Sequence, residues 1–158
     1  MELQESDYIT LPSLTLDEVR FAGYHAIHRR IQQMNGNRSR FNQPYQPVWD
    51  DEIESSCAEE AFNKFLDKYW RGLTGLRAPD SSRHEVRWTR HTNGYLAIYP
   101  RQQDLDQPYV LMDGLAPDFR IIGTALVREA KIPRWWDEEK ATFCYPRRLL
   151  HPFVKGAE

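Results

Sequence analysis

The chain has 158 residues, of which 41% are hydrophobic, 13% aromatic and 28% charged, and its formal net charge is −2. These values predict one globular domain that buries a core of its own, and they argue against a disordered chain. The net charge gives no support to nucleic-acid binding driven by overall positive charge, although a local basic groove can coexist with an acidic site.

Two cysteines, Cys57 and Cys144, are the whole cysteine content. They have neither CxxC spacing nor a Cys/His array, which argues against a structural zinc site and favours free thiols in a reducing compartment. No apolar run reaches the length of a membrane span, and the N-terminus lacks the basic and apolar regions of a signal peptide. We therefore expect an intracellular, cytoplasmic protein with no membrane contact.

Residues 1–14 are mostly polar and predict a flexible arm before a single domain at 15–158. Thr15 and Glu18 have the spacing of a capping box, so a first helix is expected from there to about Met34. His25 and His28 lie three residues apart on this helix. A metal pair is conceivable, but without a third ligand nearby the ordinary structural interpretation is better.

Residues 50–70 predict the clearest helix, with apolar side chains recurring every four residues on one wide face. At 100° per residue, most charged side chains fall on the opposite, polar face. Glu59 does not, because it lies between Leu66 and Trp70 on the edge that turns inward. This position makes Glu59 a candidate functional residue.

The remaining chain predicts strands, at 84–90, 95–100, 109–113 and 119–127. Asn93-Gly94 is typical of a hairpin turn, and Gly123 suggests a bulge or a close backbone approach. Asp104 and Asp106 are best interpreted as loop-capping residues. The predicted fold class is α+β, with N-terminal helices packed on a small mixed or antiparallel sheet.

Acidic residues around the first strand are candidates for a metal site. Side chains alternate along a strand, so Glu85 and Arg87 share the face opposite Val86 and Trp88. If residues 81–84 turn the chain, Asp80 lies beside Glu85, and two close carboxylates repel unless a cation such as Mg²⁺ bridges them.

The same acids also have ordinary structural explanations, which spacing alone does not exclude. Glu85 and Arg87 can form a surface ion pair on one strand. Asp80 can be a turn residue. Glu59 can pair with Arg71 or another base.

The ordered pieces resemble the PD-(D/E)XK nuclease superfamily, with Glu59 on a helix, then Pro79-Asp80, then Glu85-Val86-Arg87. A group of small phage-type proteins is more similar, with G-x-x-G-E-x-A on a helix followed by D-x(4)-E-V-R. Here Ser55 and Ala58 replace the glycines. The similarity extends through YLAIYPRQQDLDQPYVLMDG and FRIIGTALVREA, and so covers most of residues 50–150.

This resemblance implies a restriction-endonuclease-like core and Mg²⁺- or Mn²⁺-dependent hydrolysis of DNA phosphodiesters in a phage or prophage setting. Asp80, Glu85 and the Val86 carbonyl would hold the metal, with Glu59 completing the shell or orienting water. Arg87 stands where the superfamily has lysine; it can stabilise phosphate charge but cannot act as a base.

The candidates for contacts with the DNA backbone are Arg83, Arg90 and Arg101. The alternative function is a weakened or inactive nucleic-acid-binding or protein-interaction module, including a phage structural or host-interaction protein. A phage or host protein is a further candidate partner.

Overall fold

The structure is a computed structural model that describes residues 1–36, 49–68, 70 and 83–156. Its helices are α1 (Leu16–Gly36), α2 (Trp49–Phe65) and α3 (Val127–Ala130). Its strands are β1 (Ile9–Thr10), β2 (Glu85–Thr89), β3 (Leu96–Ile98), β4 (Pro108–Leu115), β5 (Asp118–Leu126), β6 (Trp136–Asp137) and β7 (Thr142–Tyr145). The predicted α+β class is confirmed.

The main sheet has the order β1-β5-β4-β2 and is mixed. β2 runs parallel to β4, with Glu85 opposite Tyr109, whereas β4 and β5 form an antiparallel pair. The β4–β5 register shifts next to Gly123, where an added Cβ would lie 2.7 Å from the His151 carbonyl oxygen. The predicted bulge and close backbone approach at Gly123 are therefore both present.

The second sheet has the order β3-β7-β6 and covers one face of the main sheet. Residues of β4 alternate between two cores: Val110 and Met112 pack with the helices, whereas Tyr109 and Leu111 pack with β3, β7 and α3. All four are at most 2% exposed. The main sheet thus lies between a helical layer and a second sheet, and apolar burial on both faces stabilises it.

Packing of α2 against β2 follows the prediction from the sequence. Val86 is 5% exposed, and Trp88 packs against the same cluster as Phe62, Leu66 and Trp70. The helix ends at Phe65, ahead of Asp67, which has a φ of 56°. The predicted extension of the helix to residue 70 is therefore too long.

The predicted β2–β3 hairpin is wrong. A turn does form, with the Gly94 amide donating to the His91 carbonyl at 2.9 Å. However, β2 pairs with β4 and β3 pairs with β7, so the two strands enter different sheets. Val86 of β2 packs in the helical core, whereas Leu96 and Ile98 of β3 pack in the core under the second sheet, so tertiary packing overrides the local preference for a hairpin.

The N-terminal segment packs on the domain, in contrast to the flexible arm expected for residues 1–14. β1 pairs with β5, and Leu3, Leu11 and Leu14 are all under 10% exposed. Apolar burial therefore outweighs the polar character of the segment.

A buried ion network fastens the far end of the main sheet. Asp113, with 4% of its side chain exposed, accepts two hydrogen bonds of 2.9 Å from Arg120 and one of 3.0 Å from Arg147. Arg147 also donates to the carbonyls of Gly94 and His91. The network therefore joins β4, β5, the β2–β3 turn and the C-terminal segment.

Within the described part of the chain, no helix is both long and apolar enough to cross a membrane.

Candidate functional site around Glu85 and Arg87

Glu85 and Arg87 project from the face of β2 that is turned away from the helices. Val86, between them, is buried in the helical core, and successive strand residues point to opposite faces. Both side chains are half-buried. They are two residues apart, about 7 Å along the strand. The strand therefore places one carboxylate and one guanidinium side by side, as the sequence predicted.

Two tyrosines hold the Arg87 guanidinium. Its central carbon lies 5.3 Å from the centre of the Tyr99 ring and 5.2 Å from that of Tyr109. A cation within about 6 Å of an aromatic face is attracted by the ring's charge distribution. Tyr109 is fixed in turn by Gln102, whose side-chain amide donates to its hydroxyl at 3.0 Å. Arg87 is thus a held group rather than a free surface side chain.

A second guanidinium contacts the same Tyr99 ring. Arg101 is exposed, and its central carbon lies 5.1 Å from the Tyr99 ring centre. Lys131 fixes the loop that carries it by donating to the carbonyls of Pro100 at 2.8 Å and Gln102 at 2.6 Å. Arg101 therefore projects from an anchored loop, close to the face that carries Glu85 and Arg87.

Glu59 lies on the other side of the main sheet. It is 8% exposed on α2, the helix that packs against the Val86 face. Arg29 of α1 donates to its carboxylate at 3.4 and 3.5 Å and also bonds the Ser56 hydroxyl, while the Trp70 indole donates at 3.2 Å. The structure therefore does not bring Glu59 together with Glu85; a base of α1 neutralises Glu59 instead.

Asp80, the remaining predicted carboxylate, lies outside the described residues. Among residues that are described, no three His, Cys, Asp or Glu side chains are placed to hold a metal ion. Because the predicted centre of Glu59, Asp80 and Glu85 includes Asp80, that centre stays a prediction. The smaller set of Asp80, Glu85 and the Val86 carbonyl stays a prediction.

The three arginines predicted to contact DNA have different surroundings. Arg83 and Arg101 are exposed. Arg90 forms an ion pair of 2.5 Å with Asp51 of α2 and lies over the Trp88 ring. It is five residues from Glu85, or roughly 17 Å along an extended strand. Arg83 and Arg101 are thus the better placed to contact a ligand near Glu85.

Other groups singled out in the sequence have structural roles. Burial, with smaller contributions from the charges of Glu54, Glu60 and Glu59, raises the pKa of the Cys57 thiol to about 12, which makes it a poor nucleophile. Asp104 accepts from the Asp106 amide at 3.0 Å, as expected of a loop-capping residue.

The sequence did not indicate that Tyr99 and Tyr109 contact Arg87, or that Arg29 pairs with Glu59. Tyr99 and Tyr109 are ordinary strand residues by composition, and only the pairing of β2 with β4 places Tyr109 beside Arg87. Arg29 is another base available to Glu59, and its position four residues after His25 follows the buried side of α1.

Comparison of the chain with known protein families, with curated proteins and with solved structures found no match.

Proposed function

We propose that this protein is a metal-dependent nuclease that hydrolyses DNA phosphodiesters on the Glu85–Arg87 face of the main sheet. The observation that carries the proposal is the E-x-R pair of β2, which places a carboxylate beside a guanidinium held by two tyrosines. The D-x(4)-E-V-R series in the sequence adds Asp80 as the second carboxylate.

The donor set suits a hard divalent cation. Asp80, Glu85 and the Val86 carbonyl offer oxygen ligands, which Mg²⁺ and Mn²⁺ prefer, whereas Glu59 is engaged by Arg29 and is left out of the set. When bound, such an ion lowers the pKa of water and neutralises developing negative charge.

Arg87 would bind the scissile phosphate. A guanidinium stays protonated and offers several N–H donors, so it stabilises charge on phosphate oxygens but does not remove a proton from water. The contacts with Tyr99 and Tyr109 fix its position before the substrate arrives. Arg101 would contact a neighbouring phosphate from the anchored loop.

The test is cleavage of plasmid and single-stranded DNA in Mg²⁺ or Mn²⁺. We expect wild-type protein to cleave, and Asp80→Ala and Glu85→Gln to reduce cleavage to background. The exposed Glu139→Gln is the matched control and should cleave like wild type. Unchanged cleavage by Glu85→Gln would refute the assignment.

A non-catalytic nucleic-acid-binding module is the second candidate. The Glu59–Arg29 ion pair favours it, because it removes one acidic residue from the nuclease pattern. This function predicts DNA binding without a divalent ion, weakened by salt, and no cleavage in either metal.

A further inference from the structure

A cavity of about 260 Å³ opens at the end of the main sheet where β2 and β4 begin. His84, Phe153 and the two prolines at 108 and 152 form its flat walls, and Thr124 adds a hydroxyl. Pockets that bind drug-sized ligands measure roughly 300–1,000 Å³, so this cavity suits a smaller molecule.

Neighbouring contacts fix the walls of this cavity. The rings of His84 and Phe153 meet edge to face with centroids 5.7 Å apart. The Gln107 side chain donates to the carbonyl of Arg83 at 2.5 Å and to that of Pro108 at 3.2 Å. Two backbone hydrogen bonds of 2.8 Å join Thr124 to the C-terminal segment. The cavity is therefore largely preformed.

The chemistry of the cavity indicates a flat ring with a polar edge and an attached anion. Aromatic and proline surfaces stack on planar rings. A threonine hydroxyl both donates and accepts hydrogen bonds at the edge of such a ring. Arg83, exposed at the mouth, offers a guanidinium that suits a phosphate outside.

We propose that this cavity binds one nucleobase of a nucleic-acid strand whose phosphate lies at Glu85. The proposal rests on the proposed function and adds a subsite to it. His84 lines the cavity on the helical face of the main sheet, and Glu85, the next residue, projects from the opposite face. The bound strand would therefore pass around the start of β2, an edge strand of the sheet as described, to place its phosphate at Glu85. A free nucleotide offers the same chemistry, and the experiment separates the two sources.

The experiment is a titration of ¹⁵N-labelled protein followed by backbone amide chemical shifts. The probes are thymidine 5′-monophosphate, a heptamer of thymidylate, and the same heptamer with one abasic site. We expect the heptamer to shift the amides of Thr124, Leu126 and Val154. The abasic heptamer should bind more weakly, because one base no longer stacks.

Two variants test different parts of the cavity. Leu126→Trp fills it and Arg83→Gln removes the charge at its mouth; each should weaken binding of the heptamer, the first by roughly tenfold or more. Leu115→Trp, at an exposed position on the far end of β4, should bind like wild type.

The outcomes separate this inference from the nuclease proposal. If both cavity variants bind the heptamer like wild type, or if only the mononucleotide shifts the cavity amides, the inference is overturned, while DNA cleavage by wild type still supports the nuclease. If the variants weaken binding of the heptamer and no DNA is cleaved, nucleobase binding in the cavity is supported and the proposed DNA hydrolysis is refuted.

Discussion

Replacing Glu59 with glutamine distinguishes a structural role of this side chain from a role as a metal ligand. The side chains of Glu59 and Arg29 are only 10% and 14% exposed, so removing the carboxylate charge leaves a buried guanidinium without its counter-ion. Breaking a buried pair costs about 3–5 kcal/mol, and the 3.4 Å separation favours the lower end. For a domain of this size, about 3 kcal/mol lowers Tm by roughly 6–12 °C.

The assay is thermal unfolding of Glu59→Gln by circular dichroism, with cleavage measured well below the lowered Tm. We expect a large loss of Tm and near-wild-type cleavage, because Glu59 lies across the sheet from Glu85. A metal-ligand role predicts the reverse: cleavage is lost, and Tm without metal is unchanged or raised as carboxylate repulsion falls. That result would refute the structural role of Glu59.

Three further predictions concern stability. Burial, together with the Glu18 charge and against the opposing charge of Lys64, raises the pKa of Glu60. An acid whose pKa is raised in the folded state lowers the free energy of unfolding as pH rises through that pKa. Glu60→Gln should therefore raise the free energy of unfolding above that of wild type more at pH 7 than at pH 4, as measured by urea titration. Asp113→Asn should cost about 3 kcal/mol, whereas Asp106→Asn, 73% exposed, should cost at most about 1 kcal/mol; equal Tm values would contradict this. Gly123→Ala should cost about 1–3 kcal/mol, because the added Cβ meets a backbone oxygen at 2.7 Å; an unchanged Tm would contradict this close approach.

Local patterns in the sequence predicted the helices and the faces of the first strand. Thr15 and Glu18 form the capping box, with hydrogen bonds of 2.7 and 3.2 Å. The alternation of Val86 and Arg87 correctly assigned one residue to the helical core and the other to the opposite face. These features depend on neighbours in the chain, which is why periodicity detects them.

Features set by long-range pairing could not be predicted in the same way. The Asn93-Gly94 turn favours a hairpin locally, but the flanking strands pair with β4 and β7, which lie further along the chain and in separate sheets. The inward position of Glu59 on its helix was correct, yet inward meant toward Arg29 rather than toward Glu85. An isolated periodic pattern indicates that a side chain is buried, but not which element covers it.

We propose that the metal-binding carboxylates lie on the Glu85 face of the main sheet and that Glu59 is not one of them. The most direct test of this proposal is Mn²⁺ binding, followed by electron paramagnetic resonance, to wild type, Glu85→Gln and Glu59→Gln. We expect that Glu85→Gln loses the Mn²⁺ bound by wild type and that Glu59→Gln, measured well below its Tm, retains it. Loss of Mn²⁺ in Glu59→Gln together with retention in Glu85→Gln would place the metal at Glu59 instead.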